Sequence, residues 1–114
     1  MNQEIKDDFN EFVRLITIER GLGKTIITNE DVDFIKTLAD EKHFPRAEYI
    51  LARMYLSGYH LEKDKELGLK YLAMSSHHAS YDIQLKIAYI YHVIGEYKMI
   101  NLCLIRALKD TKWL

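Results

Sequence analysis

Residues 47–83, AEYILARMYLSGYHLEKDKELGLKYLAMSSHHASYDI, decide how the rest of the chain is read. Ala47, Leu51, Met54, Tyr55 and Gly58 fall along one stripe of a helix, because neighbours on a helical face are three or four residues apart. The small residues Ala47 and Ala52 allow a second helix to approach closely, and Leu51 and Tyr55 fill the space between. Gly58 ends the helix, since glycine takes the left-handed C-terminal conformation at no steric cost. A short loop over residues 59–63 follows. Asp64 then caps the next helix through its carboxylate and complements its positive end. Gly68 sits where a larger side chain would push the two helices apart, at some cost in helix propensity.

The pattern returns further along. Ile83 lies 36 residues after Ala47, and at the same offset Leu51 maps to Ile87, Ala52 to Ala88, Met54 to Ile90 and Tyr55 to Tyr91. A fixed period in this range is the signature of helical repeats that bury their apolar faces by stacking. The second copy is degenerate. Its loop shrinks to Gly95-Glu96 and the capping Asp is missing, as befits a terminal repeat.

The stretch resembles the Sel1-like repeat, a relative of the tetratricopeptide repeat. Ala47, Tyr49, Leu51, Met54, Tyr55, Gly58 and Asp64 match the family pattern A-x-Y-x-L-G-x-M-Y-x-x-G-x-G-V-x-x-D, and Tyr71 stands at the paired-aromatic position of the second helix. Departures are Ala52 for Gly, His60 for the second loop Gly, Leu61 for Val, Ser75-Ser76 for Ala-Ala, and Ala79 for the closing Gly. The resemblance implies an all-α fold: a short right-handed α-solenoid of about three antiparallel helical hairpins, Sel1/TPR-like, in a single domain over residues 1–114. Its expected parts are a divergent N-terminal helix pair at 1–44, a Sel1-like repeat at 46–79 and a degenerate C-terminal repeat or cap at 80–114.

Composition agrees with a globular domain. The 114 residues are 48% hydrophobic and 29% charged, and a chain this long buries roughly two-thirds of its unfolded surface. A formal net charge of −1 argues against a general nucleic-acid binder, which needs a clustered basic surface. The single cysteine, Cys103, excludes an internal disulfide and reads as a small core residue in a reducing compartment. Residues 1–8 are polar and acidic, and no apolar run is long enough for a signal or a membrane span. The expected setting is the cytoplasm, without membrane contact.

Around the central stretch, residues 5–19 read as a first helix with Ile5, Phe9, Phe12, Val13 and Ile16 as its apolar stripe. Residues 20–28 read as a turn, with Gly21 and Gly23 as breakers. Thr28 or Asn29 caps a second helix, with Asp31 three residues after Thr28 at the spacing of a capping box, and this helix runs to about Lys42 with Val32, Ile35, Leu38 and Ala39 inward. Pro45 opens the third helix. Ser80 caps a fifth helix over about 81–94, and a sixth covers about 97–110. The sixth is apolar nearly all round, through Met99, Ile100, Leu102, Cys103, Leu104, Ile105, Ala107 and Leu108. It is read either as an end helix shielded by the tail and Trp113, or as a contact surface.

Motifs of chemistry are weak. Gly21-Leu22-Gly23-Lys24-Thr25 has the end of a phosphate-binding loop, but Ile18 stands where a further Gly is needed and a helix precedes it instead of a strand. The five histidines have no ligand spacing: His77 and His78 are adjacent, and His43, His60 and His92 are isolated. No catalytic group, cofactor or metal is expected. The expected function is binding. Tyr49, Arg53 and Leu56 lie on the helix face away from Leu51 and Tyr55, and Leu85, Tyr89 and His92 are their repeat equivalents. With Tyr59 and His60 of the loop, they form the candidate partner surface, rich in aromatic, Arg and aliphatic side chains. Packing is the alternative role for the tyrosines, Tyr49 included. By analogy with short proteins of this kind, the expected partner is another protein, a cognate toxin neutralised by an immunity-type inhibitor. The alternative is a self-associating structural or regulatory adaptor, a homodimer through the sixth helix.

Overall fold

Local signals place the helix boundaries. The structure is a computed structural model that describes the backbone of residues 3–110 and the side chains of 8–109. Among the described residues the regular structure is all helical: α1 (Gln3–Gly21), α2 (Asn29–Asp40), α3 (Pro45–Ser57), α4 (Lys65–His78), α5 (Tyr81–Val93), a single 3-10 turn (Tyr97–Met99) and α6 (Ile100–Asp110). The capping box at the start of α2 is complete. The Asp31 N–H donates to Thr28 Oγ1 at 3.1 Å, and the Thr28 N–H donates to Asp31 Oδ2 at 3.2 Å. The inward face of α2 is Val32, Ile35, Leu38 and Ala39, all buried as predicted.

Pro45 opens α3, and Gly58 closes it in the left-handed conformation (φ 80°), its N–H donating to the Met54 carbonyl. The loop returns at once: the Asp64 N–H donates to the Tyr55 carbonyl at 2.9 Å, and the Asp64 carboxylate accepts from the Leu67 N–H at 3.0 Å to cap α4. Gly68 lets α4 lie close on α3. A Cβ there would sit 2.6 Å from Leu56 Cγ and 3.3 Å from the Ala52 carbonyl oxygen. Tyr55 and Tyr71 stack across the same pair of helices, ring centres 5.9 Å apart. Ser75 donates to the Pro45 carbonyl at 2.7 Å and ties α4 to the start of α3.

α2 packs chiefly on α3, α3 on α4, and α5 on α6, while both α3 and α4 touch α5. Burial repeats at the 36-residue offset. Ala47, Leu51, Ala52 and Met54 are fully buried; of their equivalents Ile83, Ile87 and Ala88 are buried and Ile90 is half-buried, and Tyr91 is buried where Tyr55 is half-buried. Ser76 and Gln84, both buried, link α4 to α5: Ser76 Oγ donates to Gln84 Oε1 at 2.9 Å and accepts from Arg106 Nη1 of α6 at 2.8 Å. Ser80 stands at the N-cap of α5, but its hydroxyl turns to the Asp82 carboxylate and makes no capping bond to the backbone.

α1 departs from the sequence expectation. The predicted stripe is not the one buried: Phe9, Phe12 and Val13 are 61%, 48% and 44% exposed, and Ile16 is half-buried. The buried face is Leu15, Ile18 and Leu22. The Ile5 side chain lies outside the described residues. The 15/18/22 spacing is also helical, and charged contacts flank this stripe. Glu19, on that side of α1, accepts from Arg46 at 2.7 Å and from Lys86 at 2.8 Å. Arg14 pairs with Asp31 at 3.0 Å and lies over the Phe34 ring. The helix also runs on through Gly21, which is buried, and it is Gly23 (φ 75°) that turns the chain.

On α6, Cys103 and Ala107 are buried while Leu104, Ile105 and Leu108 are 40%, 51% and 66% exposed. Trp113, the expected shield, lies outside the described residues. No helix among the described residues is long and apolar enough to cross a membrane.

Candidate protein-binding groove

Three elements meet in the region where Arg53, Leu56 and Tyr59 of the predicted partner residues lie. The N-terminal half of α1 lies beside the starts of α3 and α5. There Phe12 and Leu15 share a cleft of about 300 Å³ with Pro45, Arg46 and Ile83. The C-terminal end of α1 lies beside the ends of the same helices. A second cleft, about 230 Å³, is lined there by Leu22, Arg53, Leu56, Ser57, Tyr59, Ile90 and Ile94. α1 therefore follows α3 and α5 in the same direction, and Glu19 ties it to both through Arg46 and Lys86.

The charges at this link depend on one another. Burial alone would push the Glu19 pKa up, but the hydrogen-bonded ammonium of Lys86 and guanidinium of Arg46 outweigh it and hold the carboxyl below its usual range. Arg46 also reaches Asp82 at 3.2 Å, and it lies over the Phe12 ring. Arg46 thus joins α1, α3 and α5. Arg46 and Asp82 are themselves equivalent positions at the 36-residue offset.

The predicted site residues divide into three groups. Arg53, Leu56 and Tyr59 come together in the second cleft. Tyr49 is only 5% exposed; burial raises its pKa, Arg53 5.6 Å over its ring partly opposes that, and Glu19 and Lys86 act on it from α1 and α5. It is a packed residue and supports Arg53. Tyr59 leans on Gly23, where a Cβ would fall 2.8 Å from the phenol ring. His60 is exposed beside Tyr59 with a left-handed backbone (φ 64°), and does not line the cleft. Leu85 and Tyr89 are 39% and 68% exposed on α5, and His92, also exposed, has its ring 5.8 Å from that of Tyr97. These three stand outside the cleft lining.

Leu22, Ser57, Ile90 and Ile94 also line the cleft, although the sequence did not mark them as partner-surface residues. Leu22 sits between two glycines in a segment that reads as a turn, and only its place after Leu15 and Ile18 at helical spacing could have revealed it. The arrangement offers apolar walls, a guanidinium and a phenol, which is equipment for contact. Cys103 has its pKa raised, chiefly by burial, so its thiolate is disfavoured. No cluster of three or more His, Cys, Asp or Glu that could hold a metal ion occurs among the described residues. No family model, no curated protein and no solved structure matches the chain.

Proposed function

We propose that the protein is a non-catalytic protein-binding module: a short right-handed Sel1-like stack of about three antiparallel helical hairpins, working in the cytoplasm as an immunity-type inhibitor of a toxin protein. The observation that carries the binding reading is the convergence of Arg53, Leu56 and Tyr59 on one apolar cleft. Aromatic and Arg side chains in a partly desolvated pocket are the composition of binding hot spots. The repeated burial at Ala52 and Ala88 supports the stack. A helical scaffold of this kind presents a preformed surface, so binding carries little ordering cost. The test is co-expression with the products of neighbouring genes, followed by size-exclusion chromatography and a growth-rescue assay. A 1:1 complex that rescues growth, and that weakens about tenfold or more on Tyr59→Ala or Arg53→Ala, is the expected result. Survival of the complex unchanged in both variants removes the cleft; absence of any complex removes the reading.

A second reading, self-association through α6, is favoured by the exposure of Leu104, Ile105 and Leu108. Contiguous apolar surface of this kind marks contact sites.

A further inference from the structure

One row of residues is used differently on two helices that match at an offset of 36. On α3 the row is Arg46, Tyr49 and Arg53; on α5 it is Asp82, Leu85 and Tyr89. The α3 row is covered. The Arg46 side chain is 16% exposed and holds Glu19 of α1, Tyr49 is 5% exposed, and Arg53 shares a cleft with Leu22, just after α1. The α5 row is bare: the Asp82 side chain is 57% exposed, Leu85 39% and Tyr89 68%, with Val93 at 62% on the same side.

We propose that this outer face of α5 seats an amphipathic helix of a partner protein, laid on α5 as α1 is laid on α3, with a basic residue where α1 carries Glu19. The proposal rests on the reading of the protein as a binding module and names the chemistry of its partner. α1 is the internal precedent. It presents Leu15 and Ile18, continued by Leu22 of the turn just after it, three and four residues apart, with an acid at 19 that meets Arg46. On α5 the sign is reversed, because Asp82 stands where α3 has Arg46. Asp82 already accepts from Arg46 and from Ser80, yet a carboxylate has acceptor sites for about four hydrogen bonds and more than half of this one faces solvent. A lysine or arginine from a second helix completes it. Leu85 and Tyr89 then take the apolar side of that helix in the helix-in-groove mode, read by residues three and four apart. Tyrosine supplies large contact area at low entropy cost.

The test uses the full chain and two synthetic peptides: residues 8–22 of this protein, and the same peptide with Glu19→Lys. Binding is followed by fluorescence anisotropy, and the footprint by hydrogen exchange. The lysine peptide is expected to bind up to about fivefold tighter, the upper end for an exposed charge pair. Protection should fall on residues 81–93. Asp82→Asn should level the preference, Asp82→Lys should invert it, and Tyr89→Ala should weaken both peptides. Equal affinity of the two peptides, protection on α3 instead of α5, or no binding overturns the proposal. A protein partner that binds the full chain but ignores Tyr89→Ala and Asp82→Lys overturns this seat while leaving the binding-module reading intact. Failure to find any protein partner counts against that reading alone, since the peptides still report on the seat.

Discussion

Glu48 is the least comfortable residue of the core. It is 2% exposed, and its Oε1 has no hydrogen-bond partner among the described residues. Burial raises its pKa above the ordinary 4.5, with His43 opposing and Asp40 adding to the shift. Its position in the first turn of α3, where negative charge is favoured, offsets only part of this. A buried acceptor left unmade costs about 1–3 kcal/mol. Glu48→Met, an apolar side chain of similar length, is therefore expected to stabilise the protein at pH 7 by about 1 kcal/mol. The sign with pH follows from the raised pKa. The folded state binds a proton that the unfolded state releases, so the wild type loses stability as pH rises from the unfolded value through the folded one. The advantage of Glu48→Met should shrink to its packing part below pH 4.5. Urea denaturation at pH 7 and pH 4 measures both; an equal gain at the two pH values shows that the carboxylate charge is not the cause.

At the scale of the element, two contacts decide where helices lie. Gly68 sets the α3–α4 approach. Gly68→Ala gains up to about 1 kcal/mol of helix propensity, but its Cβ meets Leu56 and the rigid Ala52 carbonyl. Overpacking of that kind costs about 1–3 kcal/mol, so a net loss of stability is expected, seen as a lower melting temperature. A melting temperature at or above wild type would mean that Leu56 turns aside freely. Glu19 sets the α1 seat. Its side chain is 11% exposed and joins two cations, so Glu19→Gln should weaken the seat by about 1–2 kcal/mol, less than a fully buried pair because Lys86 is half open to water. The Glu19 pKa is lowered, so its contribution is present above the unfolded value and is lost as pH falls through the folded value. Hydrogen exchange should show α1 losing protection in Glu19→Gln and at acid pH, while α3 and α4 keep theirs. Loss spread evenly over all helices would make α1 an inseparable part of the core.

For the whole molecule, the open question at the α5–α6 end is what covers its apolar side chains. If α6 is the seam of a dimer, light scattering at micromolar concentration gives twice the 13.5 kDa chain mass, and Leu104→Glu returns it to the monomer. A monomer in both proteins removes the seam and leaves that surface to other partners. At this scale the sequence was legible in part. The all-helical class, the burial of α2's inward face and the closeness of α3 to α4 could all be read from residues 28–79. Their signals are local: a capping box spans three residues, and a glycine C-cap is confined to one turn. The candidate site was legible only as a set of residue types. Arg53, Leu56 and Tyr59 converge as a cleft, but Tyr49 is packed away and Leu22 arrives from a segment that reads as a turn.

What the sequence by itself determined is where α2 and α3 start, where α3 stops, and which face of α2 turns inward, because caps, glycines and helical spacing act within a turn or two of the chain. What only the tertiary structure decided is which of two apolar stripes α1 buries, and so what remains exposed above α5. Glu19 finds Arg46 and Lys86 from 27 and 67 residues away. No local periodicity encodes an ion pair over that distance, and the pair forms beside the face where Leu15 and Ile18 are buried while Phe9, Phe12 and Val13 stay exposed.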